Sequence, residues 1–477
     1  MPFISSRFSD RVGNMEDIME KIISLAKRRG FIFPGSEIYG GLAGMWDYGP
    51  LGVELKNNIK REFWKTMVYG RDDTVGLDAA ILMNPKVWEA SGHTDAFTDP
   101  LVECKKCHTR VRADHEDEIK AHEEIHKKKK EKVEWTEPRK FNLLVEAKLG
   151  AVEEGKLSVY LRGEITQGVH VNFKNILDSS WRKLPFGIAQ IGKAFRNEIT
   201  PGNFTFRSRE FEQMELQWFC SPLASRTVRT HGDSNADLRG KWMQDDWFGY
   251  WKEERIKWYI SLGMEKSHVR FRKHEEDEKA HYAKAAWDIE YDSPFGGWKE
   301  LEGIHNRGDW DLSRHSKFSG ERLAYFDDET REWVTPWVIE TSGGVDRAAL
   351  FFLIDAYREE GEGKEKRTVL KLHPKLAPIK VAVFPLLANK PQLVEKAREV
   401  YKNLQTTSYN LQPIVFDDIG NIGKRYRRQD EIGTPWCVTI DHQTLEDDTV
   451  TVRDRDTMEQ ERVRNEELNS FLQKSFV

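Results

Sequence analysis

At 477 residues the chain exceeds what one ordinary hydrophobic core supports, so two or three domains are expected. Hydrophobic residues at 39% and charged residues at 32% place it among globular proteins, and no apolar stretch, that around Ala348–Ile354 included, approaches a membrane span. A net charge of −5 neither requires nor excludes a nucleic-acid partner, since a local basic patch can neutralise phosphates on an acidic protein.

Four cysteines, Cys104, Cys107, Cys220 and Cys437, are too few for a disulfide scaffold at this length and favour a reducing compartment. Met1–Arg11 lacks the apolar block of a signal peptide, so a cytoplasmic protein is expected.

Asn14–Gly30 has helical periodicity, with Met15, Ile18, Ile22 and Leu25 on one face. A Gly-rich turn region, Gly40–Gly52, ends in Tyr48-Gly49-Pro50-Leu51-Gly52, and a second amphipathic helix is expected over roughly Val53–Met67. Ala113–Lys132 is dominated by Glu, Lys and His and contains the run Lys127–Lys130; a solvated helix or mobile insertion is the simplest reading, an RNA-facing role the alternative. Phe186–Phe219 predicts an antiparallel hairpin with a long loop, Pro201-Gly202-Asn203 marking a turn within it. Arg226–Lys241 reads as a surface loop or insertion, and Asp245–Leu262 as a helix burying Trp247, Trp251, Ile256 and Trp258.

Beyond Arg358 the composition changes. Glu359–Arg367 reads as a linker, followed by a buried strand at Lys380–Pro385, a helix at Gln392–Asn403, and strands at Pro413–Phe416 and Thr434–Ile440. That alternation predicts a separate small α/β domain over about the last hundred residues.

The hairpin carries the densest chemistry. Phe195-Arg196-Asn197-Glu198 precedes Phe206-Arg207-Ser208-Arg209-Glu210-Phe211, with Glu215 beyond. Strand alternation sends Arg207 and Arg209 to one face, Phe211 following them. Planar guanidinium forks suit phosphate, an aromatic beside them suits a purine, and a nearby carboxylate suits an amine or metal cation. As a charge pattern alone, a hairpin laced with salt bridges explains it equally well.

The spacing Arg196-x-Glu198, a loop, then Arg207-x-x-x-Phe211-x-x-x-Glu215 resembles motif 2 of the class II aminoacyl-tRNA synthetases. Ser342-Gly343-Gly344-Val345-Asp346-Arg347, running into Ala348–Leu353, resembles their motif 3, and Pro50 with the helix after it resembles motif 1, whose proline lies at a dimer interface. The resemblance implies an α+β fold: a catalytic domain over residues 1–370 built on an antiparallel sheet flanked by helices, and a C-terminal α/β anticodon-binding domain over 371–477. Motif 1 would span about 45–75, motif 2 about 186–219, motif 3 about 340–354, and a charged insertion about 100–140. It implies that Arg196 holds the α-phosphate of ATP, Glu198 contacts the adenine side, Arg207 holds the γ-phosphate, Phe211 stacks on adenine and Arg347 is the second phosphate arginine. Asn197, Phe206 and Gly344 belong to the same ATP site, and Glu300 with Leu301 matches the family's ATP-side segment, where an acid helps hold Mg²⁺.

Further segments resemble the homodimeric glycyl-tRNA synthetases in particular. Among them are Glu37-Ile38-Tyr39-Gly40-Gly41, Thr136-Glu137-Pro138-Arg139, Phe211-Glu212-Gln213-Met214-Glu215 and Glu300-Leu301-Glu302-Gly303. The resemblance implies ATP and Mg²⁺ as cofactors, glycine and tRNA(Gly) as substrates, a second copy of the chain as partner, and no membrane. Glu164, Glu215 and Glu340 become the glycine-facing carboxylates, with Ser342 and Gly344 beside them, the 211–215 segment lining the site, and Arg112 as a substrate-contacting arginine with Arg110 as its rival. Three acids in one site repel unless a cation lies among them, a place the glycine ammonium would take. A synthetase of the same class for another small amino acid, and a non-catalytic homologue that binds only nucleic acid, are the rival readings.

Two departures from the family pattern bear on the site. Leu161-Arg162-Gly163-Glu164-Ile165-Thr166-Gln167-Gly168 has Gly163 where proline is usual, differs again at Ile165 and Thr166, and is followed by His170 at a hydrophobic position. Cys104-Lys105-Lys106-Cys107 has zinc-ligand spacing, and His122 and His126 complete a Cys-x2-Cys-x14-His-x3-His set, though the window lacks the apolar core of a zinc finger; two free cysteines on a turn is the alternative. In the C-terminal part, Gly423-Lys424-Arg425-Tyr426-Arg427-Arg428 offers basic and aromatic groups to RNA, or is a solvated basic helix.

Overall fold

A computed structural model describes residues 9–151, 156–222, 246–275, 278, 283–328, 330–363, 366–408 and 411–474. The expected insertion at Arg226–Lys241 and the side chain of Met15 lie outside the described residues.

The larger part is built on a seven-stranded sheet. Its strands in chain order are β1 (Thr74–Leu77), β2 (Phe186–Phe195), β3 (Glu210–Cys220), β4 (Val269–Lys273), β5 (Ala285–Ser293), β6 (Gly297–Gly308) and β7 (Trp337–Gly344), arranged β4-β5-β6-β7-β3-β2-β1. Every pairing is antiparallel except β1 with β2. The expected hairpin is β2–β3, in register with Glu215 opposite Gln190.

Sequence alternation explains how this sheet carries both a core and a site. In β3, Met214, Leu216 and Trp218 point to one face and join the main apolar core, while Gln213, Glu215 and Gln217 point to the other. The same parity crosses the sheet: Leu216 lies opposite Thr341 of β7 and Thr341 opposite Ile304 of β6, all on the core side. On the other side Gln217 faces Glu340, which faces His305. One register thus lines up the candidate acids on a single face.

Helices cover the core face. Residues Ser9–Arg29 form α1, one turn longer than the periodicity implied, with Ile22 and Leu25 buried and Gly30 closing it in the left-handed region. Next, α2 (Pro50–Trp64) starts on Pro50 itself, a residue favoured in the first turn because its missing N–H has no helical partner anyway. The short strand Trp46–Tyr48 precedes it, paired with Ile32–Pro34, where the sequence suggested only turns. In the 98–142 region, α3 (Glu116–Lys128) lies beside a three-stranded sheet. Short α4 (Thr166–Val171) begins in the segment that departs from the family pattern, and α5 (Asp246–Ser261) buries Trp251 and Trp258 as expected. After α6 (Trp310–Ser319) comes α7 (Val345–Ala356), the helix following the Gly-Gly turn, whose Ala348–Leu353 are all buried in the main core. Leu350 is 0% exposed there, so Leu350→Ala should lower unfolding free energy by about 3 kcal/mol, read as a lower urea midpoint at unchanged slope.

The C-terminal sheet consists of β8 (Val381–Pro385), β9 (Ile414–Phe416), β10 (Trp436–Ile440), β11 (Thr449–Asp454) and β12 (Gln460–Arg464), in the order β9-β8-β10-β11-β12. The first three are parallel and the last two antiparallel. α8 (Pro391–Thr407) buries Leu393, Ala397, Val400 and Leu404 against it, and α9 (Ile422–Ile432) follows β9. The expected linker at Glu359–Arg367 is instead part of a two-stranded hairpin, Tyr357–Glu360 with Arg367–Leu370. Arg367 is buried and donates to Asp430 at 3.2 Å, and Arg453 donates to the same carboxylate at 2.9 Å, which ties the hairpin to α9 and β11. Charge-rich composition suggested a solvated tether; paired charges made it a hairpin anchored by the buried Arg367.

Candidate active site

Glu164, Glu215 and Glu340 converge on the polar face of the large sheet, 8%, 1% and 2% exposed. Glu215 comes from β3 and Glu340 from β7. Glu164 arrives on the loop before α4, which buried polar groups pin to the sheet: Arg162 donates to the carbonyls of Lys193 and Ala79 at 2.6 and 2.8 Å, and Gln190 donates to Ile165 O at 2.9 Å.

The three acids are not equivalent. Arg307 of β6 donates to both oxygens of Glu340 at 3.2 and 3.1 Å and forks onto Asp311 of α6 at 2.7 and 3.0 Å. Burial opposes the charge on Glu340, but Arg307 and His305, whose Nδ1 lies 2.8 Å from it, hold the carboxyl well below its ordinary range. Burial likewise opposes Glu164, and there His93, with Nε2 at 3.3 Å, and Arg307 hold it down to about 2. Among the described residues Glu215 has no such hydrogen-bonded cation, and Arg162 acts on it only through space. Burial first, then the negative Glu340 and Glu164, push its carboxyl up to about 8, against the hydroxyls of Ser342 and Thr166, each at 2.6 Å. The expected gathering of acids is there, but protein cations already balance two of them. Glu215 is the one of the three that keeps its proton up to about 8.

Gln213 donates to Glu215 at 3.0 Å and Gln217 to Glu340 at 2.9 Å, so side chains crowd this carboxylate pair on every strand. Thr166 sits 2.6 Å from Glu215 and 2.9 Å from Glu340, so a residue marked as a departure from the family pattern touches both acids. Gly163 is explained by its neighbour: a Cβ there would lie 2.9 Å from the Phe97 ring, so glycine and Phe97 fit only together. His170 is fully buried with Nδ1 3.4 Å from Asp311.

Beside the acids lies an arginine–aromatic cluster. Arg196 donates to Gly163 O at 3.0 Å, and its guanidinium lies 5.2 Å from the rings of both Phe211 and Phe97. Arg347 lies 4.5 Å from the Phe206 ring, donates to Phe206 O at 3.2 Å and pairs with Glu300 at 2.9 Å. Arg347, and after it Arg196, hold the Glu300 carboxyl below its ordinary range, and His305 adds to this. His305 therefore stands between the acid cluster and the Glu300 cluster. Asp288, buried and repelled by Glu300, is pushed up to about 6. Leu301 is fully buried on the core side, so it supports Glu300 rather than facing the site.

The structure separates other predicted residues from this centre. Arg207 reaches Glu118 of α3, at 3.5 Å, while Arg209 donates to the carbonyls of Glu198 and Ala43 at 3.0 Å, so the two do not share a phosphate-facing surface. Both precede β3, and strand parity does not govern them. Arg112 pairs with Asp99 and Asp114, each at 2.7 Å, close to Arg207 and Glu198 rather than among the three acids; Arg110 pairs with Glu103. Glu212 and Met214 have the wrong parity for the acid face: Glu212 pairs with Lys56 and Lys60 of α2 at 3.2 and 3.1 Å, and Met214 is in the core. Asn197 follows Arg196, its N–H donating to Leu143 O at 2.8 Å. Gly344 precedes α7, and a Cβ there would contact the Arg347 side chain at 3.5 Å. Sequence reasoning missed Arg307, His93 and His305. Arg307 lies where the β6–β7 register shifts between Asn306 and Gly308, so alternation along the strand did not signal it.

In the C-terminal region, Arg425 is buried and donates to Gly420 O at 2.6 Å, Tyr426 bonds Thr439 at 2.6 Å, and Arg428 pairs with Asp417 at 2.6 Å. Three of the groups offered to RNA by the sequence are thus engaged within the fold, whereas Lys424 is exposed.

Residues 380–475 match the family described as anticodon binding domain. The chain is 52% identical over 459 residues to a glycine–tRNA ligase of Borreliella burgdorferi, covering 95% of this chain and 96% of that one. It is 51% identical over 480 residues to a glycine–tRNA ligase of Alkaliphilus oremlandii, with 96% and 98% covered, and 50% identical over 476 residues to one of Thermobifida fusca, with 96% and 97% covered. At half identity over nearly its whole length, and with its acids and arginines gathered on one sheet as described, the chain belongs to the glycine–tRNA ligase family.

Proposed function

We propose that this protein activates glycine with ATP and transfers it to the 3′ end of tRNA(Gly), releasing AMP and pyrophosphate. The observation that carries the reading is the buried acid trio in which Glu215, without a paired cation, holds its proton up to about 8, next to two arginines that act on Glu300. The glycine ammonium takes the place of the missing cation at Glu215. Gln213, Gln217, Thr166 and Ser342 all hydrogen-bond to Glu215, and in this reading their crowding is what excludes a larger side chain. A pocket built this way discriminates by steric exclusion, which a missing methylene alone does not provide.

Arg196 and Arg347 then hold the triphosphate, with Phe211 and Phe206 backing them and the purine stacking on Phe211. Arg207, held by Glu118, serves the γ-phosphate, and Glu198 and Asn197 serve the adenine side. Arg112, with Asp99, orients the approach to this end of the site. The glycine carboxylate attacks the α-phosphorus and pyrophosphate departs; the terminal ribose hydroxyl of tRNA then attacks the adenylate. No side chain acts as a nucleophile: fixed charges stabilise the charge building on phosphate oxygens. Glu300, kept ionised by Arg347, is a hard oxygen donor of the kind Mg²⁺ takes along with phosphates, and Mg²⁺ supplies further charge neutralisation when bound.

Residues 1–370 form the catalytic domain in this reading and 371–477 the anticodon-binding domain, with Lys424 on its RNA-facing side. The working form is a homodimer, supported by the exposure of Pro50, Ile38, Tyr39, Leu42 and Val53 around the start of α2. No helix among the described residues is long and apolar enough to cross a membrane, which accords with a cytoplasmic site of action.

Incubation with labelled glycine, ATP and total tRNA tests the reading: acid-precipitable glycine should accumulate only with ATP and tRNA both present, and no accumulation would contradict it. A pH profile tests the role of Glu215. The empty site holds a proton on Glu215 below about 8, and the ammonium must displace it. Glycine kcat/KM in pyrophosphate exchange should therefore rise roughly tenfold per pH unit towards 8 and then flatten; a flat profile from about pH 6 to 8 would remove Glu215 from ammonium binding.

A further inference from the structure

We propose that Cys104, Cys107, His122 and His126 form a closed structural zinc site that fixes α3 and, through it, the loop carrying Arg207. The four ligand atoms all lie within 4.8 Å of one another. Cys107 Sγ is 3.4 Å from Nε2 of both His122 and His126, and Cys104 Sγ is 3.9 Å from Nε2 of His126. Zinc bound at ordinary Zn–S and Zn–N lengths of about 2.3 and 2.0 Å sets ligand atoms roughly 3.3–3.8 Å apart at the corners of a tetrahedron, so the constellation closes on an ion with little movement.

The local fold gives a second, independent reason. The only buried residues of α3 are His122 and His126, one turn apart, while Ile125 is 53% exposed. A charged helix that buries two imidazoles and no apolar stripe has little hydrophobic packing to hold it down beyond the Trp135 ring, 5.1 Å from that of His122. The missing finger-like core thus argues for the metal: coordination supplies what apolar packing does not. The thiols lie on a tight turn, with Cys104 N donating to Thr109 O at 2.9 Å, His108 N to Cys104 O at 2.9 Å, and His108 in the left-handed region at φ 60°. His126 also has an outer partner, Glu131 at 2.8 Å from Nδ1, which orients Nε2 towards the sulfurs in the manner of carboxylate–histidine–metal sites. Two thiolates and two imidazoles in a tetrahedral set favour zinc over the oxygen-seeking cations. Four protein ligands leave no open position, so the role is structural.

The consequence for the active site runs along α3. Glu118, one turn before His122, accepts from Thr200 at 2.8 Å and pairs with Arg207 at 3.5 Å, both on the loop between β2 and β3. The zinc site holds Glu118 in place, and Glu118 positions Arg207.

The test is metal content and spectrum. Protein purified with reduced cysteines should carry about one zinc per chain through dialysis. After chelation and reconstitution with Co²⁺ it should show thiolate charge-transfer bands and the visible bands of a tetrahedral ion. Cys107→Ser and His126→Asn should each lose the metal and the bands, whereas His108→Asn, at the exposed neighbour, should keep both. Loss of metal should also speed proteolysis within residues 104–131 and raise the KM for ATP several-fold, with the KM for glycine little changed. Reduced wild-type protein that takes up neither zinc nor Co²⁺, metal retained in both Cys107→Ser and His126→Asn, or a Cys104–Cys107 disulfide that persists under mild reduction would each overturn the proposal. The wild-type measurement decides even if a variant fails to fold.

Discussion

Replacing Arg347 with alanine should lower glycine-dependent ATP–pyrophosphate exchange about 10⁴-fold, in the range found when an arginine is removed from a phosphoryl-transfer site. The expectation follows from what Arg347 touches. Its guanidinium pairs with Glu300 at 2.9 Å and lies over the Phe206 ring at 4.5 Å, so its fork is fixed before ATP arrives. Without it, Glu300 faces incoming phosphates with only the through-space influence of Arg196 and His305 to offset its charge. Because the arginine acts on charge that develops as the α-phosphorus is attacked, the loss should appear in kcat more than in the KM for glycine. Arg347→Lys should recover little, since a point charge does not reproduce the planar fork. Exchange within tenfold of wild type would dismiss Arg347 from phosphate binding.

Glu215→Gln should reduce kcat/KM for glycine about 10³-fold, equivalent to about 4 kcal/mol, the scale of one unpaired charge in a buried pair. The amide keeps the shape of the carboxyl and can still accept from Ser342, but offers the ammonium no countercharge. Stability should move the other way. The folded-state carboxyl titrates at about 8, well above its ordinary 4.5, so its neutral form stabilises the fold fully below the ordinary value, and that contribution is lost as pH rises through 8. The variant lacks this loss, so its Tm should equal or exceed that of wild type at pH 8, and the inflection in the glycine profile should vanish. A variant that loses activity and stability together would point to a packing role instead. Glu340→Gln makes the contrast, because it removes the charge that Arg307 and His305 both contact, leaving Arg307 only Asp311, and should destabilise.

The sequence carried much of this site because strand parity and motif spacing are local properties. Glu215, Glu340 and Ser342 come together because they alternate on two strands that pair with each other. Arg207, Glu212 and Met214 lie apart from them for the complementary reason: the first is on the loop before parity begins, and the other two have the opposite parity within β3. The cations that balance the acids were invisible, since Arg307 and His93 reach Glu340 and Glu164 only through the pairing of β6 with β7 and the docking of the 164 loop. Likewise Glu359–Arg367 read as a tether because composition does not reveal which charges will be neutralised, and Arg367 is shared between Glu360 across the hairpin and Asp430, 63 positions on.

The most direct test of the account is amino-acid-dependent ATP–pyrophosphate exchange on the purified protein, screened across all the proteinogenic amino acids. The crowded carboxylate at Glu215 predicts exchange with glycine alone, with alanine and serine at background. Exchange driven by alanine, serine or proline and not by glycine would contradict it.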